Sequence, residues 1–244
     1  MVRDKARAWA TTHEGLVRRH NEDDWQVAAW RSTPGAGSWH GSLSTGPVWA
    51  VVADGMGGHR RGEVASAIVV DCVAEFIGAV RGEDDIIRLL AEANMRVFHA
   101  MAAPNGSPAM GSTVVGMVVS GRKGWIFNVG DSRAYLLSGS AFRRASRDHT
   151  PDRPTSGVRS HALTQSLGGT LSPVPLAPHI TTFDPQVIDA VLLCSDGLTD
   201  MVEDDEIEAL LRRSPDDPTR TLLEAALDAG GLDNVTIVVV RLRG

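Results

Sequence analysis

The segment from Val48 to Ser66, VWAVVADGMGGHRRGEVAS, restricts the fold more than any other part of the sequence. Its first residues form an apolar run that is typical of a buried strand, and this run ends on an acid, Asp54. Glycines follow, and the chain then enters an apolar pattern with helical spacing that starts at Val64. A strand that leads through a glycine-rich turn into a long helix indicates a layered fold of sheets and helices.

Short β-branched runs predict seven strands, which alternate with helices in blocks and not as regular strand–helix–strand units. The Gly/Ser/Pro-rich segment from Arg31 to Pro47 is interpreted as a loop between two strands. Because composition does not shift along the chain, we predict a single domain over residues 1–244, in which two sheets carry helices on their outer faces. The predicted strands are Trp25–Trp30, Val48–Ala53, Thr113–Ser120, Trp125–Val129, Ala134–Leu137, Ala190–Cys194 and Val235–Leu242, and the predicted helices are Gly62–Val80, Glu83–Met101, Glu203–Arg213 and Asp216–Gly230.

Acidic residues recur where apolar or small-residue runs end. Any one of these aspartates is well explained as a turn residue, because Asp bonds to nearby backbone and tolerates left-handed conformations. As a group they are harder to explain, since buried carboxylates repel one another and few arginines lie near them in the sequence. The set comprises Asp54, Asp131, Asp196 and Asp233, together with Glu22, Asp23 and Asp24 in the segment RRHNEDDW.

Ligands made only of oxygen select hard cations, so this acidic set favours Mg²⁺ or Mn²⁺. The sequence lacks the His/Cys spacing of a zinc site. The segment GMGGHR has Arg60 where a dinucleotide-binding loop needs its last glycine, and the GxSxG pattern of serine hydrolases does not occur. Gly55 has no side chain, so its carbonyl group could approach a metal ion.

The net charge of the chain and its two cysteines indicate which partners it binds and in which compartment it folds. The net charge of −6 disfavours a nucleic acid or an anionic membrane as a partner. We see no secretory leader at the N-terminus and no apolar stretch long enough to span a membrane. Cys72 and Cys194 lie in apolar runs, which fits buried free thiols in a reducing compartment, and we expect the protein to be cytoplasmic.

Seven motifs in order resemble the bacterial, stand-alone branch of the metal-dependent protein phosphatases of type 2C. The resemblance extends from about His13 to Leu242, and its specificity comes from the order and spacing of the set. The motifs are LVRRHNED, VVADGMGGH with GEVAS, GSTVVG, NVGDSRAYLL, HALTQSLGG, LLCSDGLTDMV and DNVTIVVV.

The resemblance implies an α+β fold, a four-layer α-β-β-α sandwich of two antiparallel sheets flanked by helix pairs. It implies hydrolysis of phosphoserine and phosphothreonine in proteins by attack of a water molecule that bridges two Mn²⁺ or Mg²⁺ ions. Arg18 would bind the substrate phosphate, for which the planar guanidinium group is suited. Asp54 would bridge the two ions, and the Gly55 carbonyl would bind one of them. Asp196 and Asp233 would complete the first site, and Glu22 and Asp23 would hold the second ion. Asp131 with Asp196 would hold a third ion.

Two departures from the family pattern concern the surroundings of the site. The flap region near residues 148–161 is short, and Gln165 stands where an arginine is frequent. Met56 occupies the place of a histidine found in distant members, so His59 is either a packing residue or an acid near the site. His59 and Asn234 are candidates for groups behind the metal ligands.

The resemblance implies that the substrates are targets of a bacterial serine/threonine kinase, and we expect a monomer. Two alternatives remain at this point. One is a catalytically weak regulatory module with the same fold, and the other is a phosphatase for small phosphoesters.

Overall fold

Two antiparallel sheets lie face to face in the computed structural model, which describes residues 6–32, 37–43, 46–57, 61–104, 106–108, 110–151 and 162–243. The first sheet has the strand order β10-β9-β13-β14-β1-β4, and the second has the order β11-β6-β5-β7-β8-β12, with β2 paired to β5 and to β3. The strands are β1 (Ala6–His13), β2 (Asp23–Val27), β3 (Trp30–Arg31), β4 (Ser38–Leu43), β5 (Val48–Met56), β6 (Gly111–Ser112), β7 (Val114–Ser120), β8 (Lys123–Val129), β9 (Arg133–Ser138), β10 (Ala141–Arg144), β11 (Leu167–Gly168), β12 (His179–Phe183), β13 (Ala190–Cys194) and β14 (Val235–Arg241).

Helices cover the outer face of each sheet. Helix α1 packs on β5 and β2 of the second sheet, and α2 packs against α1 and β11. Helix α5 packs on β14 and β1 of the first sheet, and α4 packs against α5. Asp217 caps α5 by accepting a hydrogen bond from the Arg220 amide at 3.1 Å, with Pro218 in the first helical turn. The helices are α1 (Gly62–Phe76), α2 (Glu83–Met101), α3 (Asp196–Thr199), α4 (Asp204–Arg213) and α5 (Pro218–Asp228), and a short 3₁₀ turn (Ile77–Ala79) follows α1.

Three apolar cores separate the four layers. One core lies between the two sheets and includes Trp25, Met117 and Val238, and the other two lie between a sheet and its helices. Strand β14, VTIVVVR, is buried on both faces from Val235 to Val240 because the first sheet has a helix layer on one side and a sheet on the other. The predicted four-layer α-β-β-α fold is confirmed.

Several predicted boundaries were wrong. Strand β4 lies inside the segment that we interpreted as a loop, and β1 was not predicted at all. Strand β2 ends at Val27 because Ala28 adopts a positive φ of 48°, which breaks the extended conformation. Residues 152–161, which make up most of the predicted short flap, lie outside the described residues. In the described part of the chain, no helix has the length and apolar character needed to cross a membrane.

Candidate active site

Two of the predicted acids face each other across neighbouring strands of the second sheet. The register of β2 and β5 pairs Asp23 with Asp54. Asp54 is the seventh residue of β5, so it lies within the strand and not in the turn that the sequence suggested. Asp23 is 8% exposed, and its Oδ2 accepts a hydrogen bond from Ser195 Oγ at 2.8 Å. Because Ser195 follows β13 of the first sheet, this bond joins the two sheets at the site.

The first sheet contributes two further acids at the same edge. Asp196 is the first residue of α3, directly after β13, and Asp233 lies just before β14. Asp233 Oδ2 accepts a hydrogen bond from Arg18 Nη2 at 2.6 Å, while its Oδ1 accepts one from the Asn234 amide at 2.8 Å. Asp131 lies in the loop between β8 and β9. Loops from both sheets therefore converge on one place.

An open cleft of about 1130 Å³ lies at this edge of the sandwich. Asp23 is not among its lining residues and is buried behind it, and His59 lies outside the described residues. The predicted site residues that line the cleft are Arg18, Glu22, Asp54, Gly55, Asp131, Asp196, Asp233 and Asn234.

Four aspartates at the cleft, Asp23, Asp54, Asp131 and Asp196, bind protons more tightly than ordinary aspartates. Burial, followed by the charge of Asp196, raises the pKa of Asp23 to about 7. Burial and the charge of Asp131 raise the pKa of Asp196 to about 7 as well, and burial raises the pKa of Asp131 to about 6. The pKa of Asp54 lies well above its ordinary value because the group is buried beside Asp23. The cleft therefore concentrates negative charge that the protein alone does not neutralise.

The donor atoms fit hard divalent cations. Asp23 Oδ1 and Asp196 Oδ1 are buried and have no hydrogen-bond partner, which is costly unless another group satisfies them. In their present positions, no three His, Cys, Asp or Glu side chains of the described residues form a ready metal-binding group. A divalent cation would offset the repulsion among the carboxylates and satisfy the unpaired oxygens.

Gly55 is required by close backbone packing in addition to any role of its carbonyl group. A Cβ atom at this position would lie 2.5 Å from the Glu22 carbonyl oxygen and would also collide with the Gly62 carbonyl group. The Gly55 amide donates a hydrogen bond to that Glu22 carbonyl at 3.1 Å. This contact positions Glu22 next to the end of β5 and the start of α1.

Hydroxyl groups that the sequence analysis did not single out hold Asp54 in place. The Asp54 amide donates to Thr113 Oγ1 at 3.1 Å, and the Thr113 amide donates to the Asp54 carbonyl at 2.8 Å. Thr113 Oγ1 also shares a 2.7 Å hydrogen bond with Ser132 Oγ, next to Asp131. The available sequence signal was the pair of hydroxyl residues in GST and the serine beside the acid in GDS and in CSD.

The side chain of Asn234 forms hydrogen bonds with the backbone of the loop that carries Arg18 and Glu22. Its Oδ1 accepts a hydrogen bond from the Glu22 amide at 2.8 Å. Its Nδ2 donates to the carbonyl groups of Glu14 and His20, both at 2.9 Å. One side-chain amide that is 6% exposed therefore satisfies three backbone groups of this loop.

Two nearby acids have separate surroundings. Asp24 points away from the cleft and accepts hydrogen bonds from Arg31 Nη2 at 2.6 Å and from the Trp25 amide at 2.8 Å. Glu63, which the sequence analysis passed over, lies in the first turn of α1 and has a buried Oε2 without a hydrogen-bond partner. After burial, the charge of Glu63 is the largest cause that raises the pKa of Glu22.

Comparison with known proteins identifies the family. The family model described as protein phosphatase 2C matches residues 22–229, which is most of the chain. The chain belongs to the protein phosphatase 2C family. A bacterial relative is the serine/threonine phosphatase stp of Listeria welshimeri. It is 30% identical over an alignment of 250 positions, which covers 94% of this chain and 93% of the relative.

Solved phosphatase structures share the fold of this protein phosphatase 2C member. The serine/threonine phosphatase Stp1 from Staphylococcus aureus superposes with a TM-score of 0.79 at 28% identity, covering 97% of this chain and 95% of that chain. The catalytic domain of the serine/threonine protein phosphatase PstP, solved in complex with two manganese ions, gives a TM-score of 0.75 at 29% identity, with 97% and 98% of the two chains covered. The recognition of the family from sequence motifs is confirmed.

Proposed function

We propose that this protein is a metal-dependent serine/threonine protein phosphatase that hydrolyses phosphoserine and phosphothreonine in proteins. The observation that carries the proposal is the set of buried, uncompensated carboxyl groups, including the unpartnered oxygens of Asp23 and Asp196, at an open cleft. Family membership and the names of the relatives support the same activity. An open cleft suits a phosphorylated side chain presented by a large substrate.

The proposed metal site holds two Mn²⁺ or Mg²⁺ ions, with Asp54 shared between them. When bound, such ions lower the pKa of water and stabilise negative charge on phosphate oxygens. The relative solved with two manganese ions supports the stoichiometry. Asp196 and Asp233 would complete the first site, and Glu22 and Asp23 would hold the second ion. The Gly55 carbonyl would bind one of these two ions, and Asp131 with Asp196 would hold a third.

Arg18 is the proposed binding group for the substrate phosphate. Its side chain is 57% exposed at the cleft, and its guanidinium group contacts Asp233. The hydrogen bond to Asp233 raises the pKa of Arg18, so the guanidinium group stays charged throughout the physiological range. Two parallel N–H donors of one guanidinium group match two phosphate oxygens, which orients the phosphoryl group over the acidic floor.

The finer assignments concern the domain, the substrates, the oligomeric state and the location. We propose one phosphatase domain over residues 1–244 with a shortened flap near residues 148–161, a bacterial serine/threonine kinase as the source of the substrates, and a monomeric state. The burial of the free thiols of Cys72 and Cys194 supports a cytoplasmic location. His59 and solvent are the candidate proton donors to the leaving hydroxyl group.

The decisive test is hydrolysis of an aryl phosphate and of a phosphothreonine peptide with Mn²⁺, with Mg²⁺ and with a chelator. We expect activity on both substrates only with a metal ion. Asp54→Asn and Asp196→Asn should each lower turnover at least about 100-fold, which corresponds to ~2.7 kcal/mol in the activation barrier. Asp228→Asn is the matched control, because this exposed acid at the end of α5 does not line the cleft, and it should keep wild-type turnover.

Other outcomes would select the alternatives. Equal turnover with chelator and with Mn²⁺ would contradict the metal-dependent mechanism. Metal-dependent hydrolysis of the aryl phosphate without hydrolysis of the peptide would favour a phosphatase for small phosphoesters. Metal binding without hydrolysis of either substrate would favour a regulatory module.

A further inference from the structure

A patch of exposed apolar side chains lies beside Arg18 and Asp233. Three of the ten large apolar residues that are exposed in the described part of the chain lie here, namely Leu16 at 64%, Val17 at 61% and Leu232 at 55% exposure. Of these three, Leu232 lines the cleft, as does the half-buried Met201. We call Leu16, Val17, Met201 and Leu232 the apolar rim.

A turn with two glycines assembles the apolar rim from separate elements. Gly230 and Gly231 have positive φ angles of 126° and 51°, which glycine adopts without strain. A Cβ atom on Gly230 would lie 3.9 Å from Leu232 Cγ and 4.0 Å from Met201 Sδ, so these side chains surround the turn. The Leu16 amide donates to the Gly231 carbonyl at 2.7 Å, which brings the loop before Arg18 to the same place.

The rim is fixed in position relative to the charged groups of the cleft. Val17 directly precedes Arg18, Leu232 directly precedes Asp233, and Arg18 and Asp233 are joined by the 2.6 Å ion pair. Gly15 packs directly against the backbone of Asp233 and Gly231, where a Cβ atom would lie 2.8 Å from the Gly231 carbonyl oxygen. A substrate bound at Arg18 therefore has apolar side chains next to its phosphoryl group.

We propose that the apolar rim binds an apolar side chain that flanks the phosphorylated residue of a protein substrate. This inference rests on the proposed phosphatase function. Binding is favoured when a ligand removes exposed leucine side chains from water. A small molecule such as an aryl phosphate has no flanking residue that could cover them. The rim is continuous with the cleft in which Arg18 lies, so the occupant is the chain of the phosphoprotein itself. The rim thus gives the enzyme sequence selectivity that Arg18 cannot provide.

The test compares two phosphothreonine peptides that differ only in having leucine or serine on both sides of the phosphothreonine. With Mn²⁺ present, we expect the wild-type kcat/KM to be about tenfold higher for the leucine peptide, equivalent to ~1.4 kcal/mol. The double variant Leu16→Ser/Leu232→Ser should reduce this ratio to about twofold or less. Val187→Ser is the matched control, and its ratio should stay at the wild-type value. Val187 is 53% exposed, and its carbonyl group accepts a hydrogen bond from Ser138, at the end of β9 opposite to Asp131.

Each other result would overturn the inference. Equal hydrolysis of the two peptides by the wild type would overturn it while leaving the phosphatase assignment intact, and hydrolysis of neither peptide nor aryl phosphate would overturn both. A full leucine preference in the double variant, with circular dichroism and a urea midpoint close to wild type, would place the selectivity elsewhere. Sedimentation that shows a dimer lost on Leu16→Ser/Leu232→Ser would assign the rim to a second copy of the chain.

Discussion

Asp23 and Asp24 are neighbours in β2, yet their carboxyl groups have opposite electrostatic surroundings. Successive residues of a strand point to opposite faces of the sheet. Asp23 therefore points between the sheets, towards Ser195, and one of its oxygens has no partner. Asp24 points towards α1 and forms an ion pair with Arg31. The ionised carboxylate of Asp23 therefore destabilises the folded protein, whereas that of its neighbour Asp24 stabilises it.

We predict that Asp23→Asn stabilises the metal-free protein at pH 7.5 and stabilises it by much less at pH 5. The pKa of Asp23 is raised to about 7 in the folded protein, above its unfolded value, so folding takes up a proton between about pH 4 and pH 7. The ionised Asp23 carboxylate therefore destabilises the folded protein. This effect is absent below about pH 4, grows between about pH 4 and pH 7, and is complete above the folded pKa. Thermal denaturation in chelator at both pH values measures the difference.

The neighbouring substitution Asp24→Asn is the control and should have the opposite sign. It removes the charge that binds Arg31, so it should lower the melting temperature at pH 7.5. If Asp23→Asn also lowered the metal-free melting temperature at pH 7.5, the proposed electrostatic strain in the cleft would be contradicted.

At the scale of secondary-structure elements, two glycines allow strand β5 and helix α1 to meet at the site. Gly55 near the end of β5 packs against Gly62 at the start of α1, and a Cβ on Gly62 would lie 2.6 Å from Glu22 Oε2. The contact leaves no room for a side chain on either residue. The close approach of these two elements therefore sets the position of the Glu22 carboxylate.

We predict that Gly55→Ala destabilises the protein by about 2 to 3 kcal/mol, because overpacking forces the backbone of β5 away from α1. Urea denaturation of the metal-free protein measures the loss. Gly78→Ala is the matched control, since an added Cβ there meets nothing within 4 Å, and its midpoint should be unchanged or higher. A wild-type midpoint for Gly55→Ala would show that the contact is not tight.

The elements that could be predicted from sequence are those whose own residues carry the signal. A continuous apolar run was sufficient for β13, Ala190–Cys194, and helical spacing was sufficient for α2, Glu83–Met101. Strand β4, SWHGSL, has alternating exposure and lies next to a Gly/Ser/Pro-rich segment, so only its pairing with β1 identifies it. The acids of the cleft were found through their positions at strand ends, whereas the hydroxyl of Ser195 beside Asp23 depends on how the two sheets pack.

On the scale of the whole molecule, the cleft joins the two sheets. Asp54 and Asp23 belong to the second sheet, while Asp196 and Asp233 flank strands of the first. Without a metal ion, repulsion among these groups opposes the packing of the two sheets at this edge. Ions bound there would connect the sheets and reverse the sign of that interaction.

We therefore predict that Mn²⁺ at about 100 times its dissociation constant stabilises the protein by ~2.7 kcal/mol. For a chain of this size that corresponds to a rise in melting temperature of about 5 to 10 °C. Thermal denaturation with Mn²⁺ and with chelator measures the shift, which Asp54→Asn should remove and Asp228→Asn should preserve. An equal shift in the wild type and in Asp54→Asn would place the bound ions away from the cleft.

The central position of β14 has a consequence for folding during synthesis on the ribosome. This strand lies between β13 and β1, so the first and last strands of the described chain are hydrogen-bonded neighbours. The first sheet stays split until β14 has been synthesised and has left the exit tunnel, and Asp233 and Asn234 arrive only with it. A nascent chain that has not yet exposed β14 therefore has no complete acidic cleft.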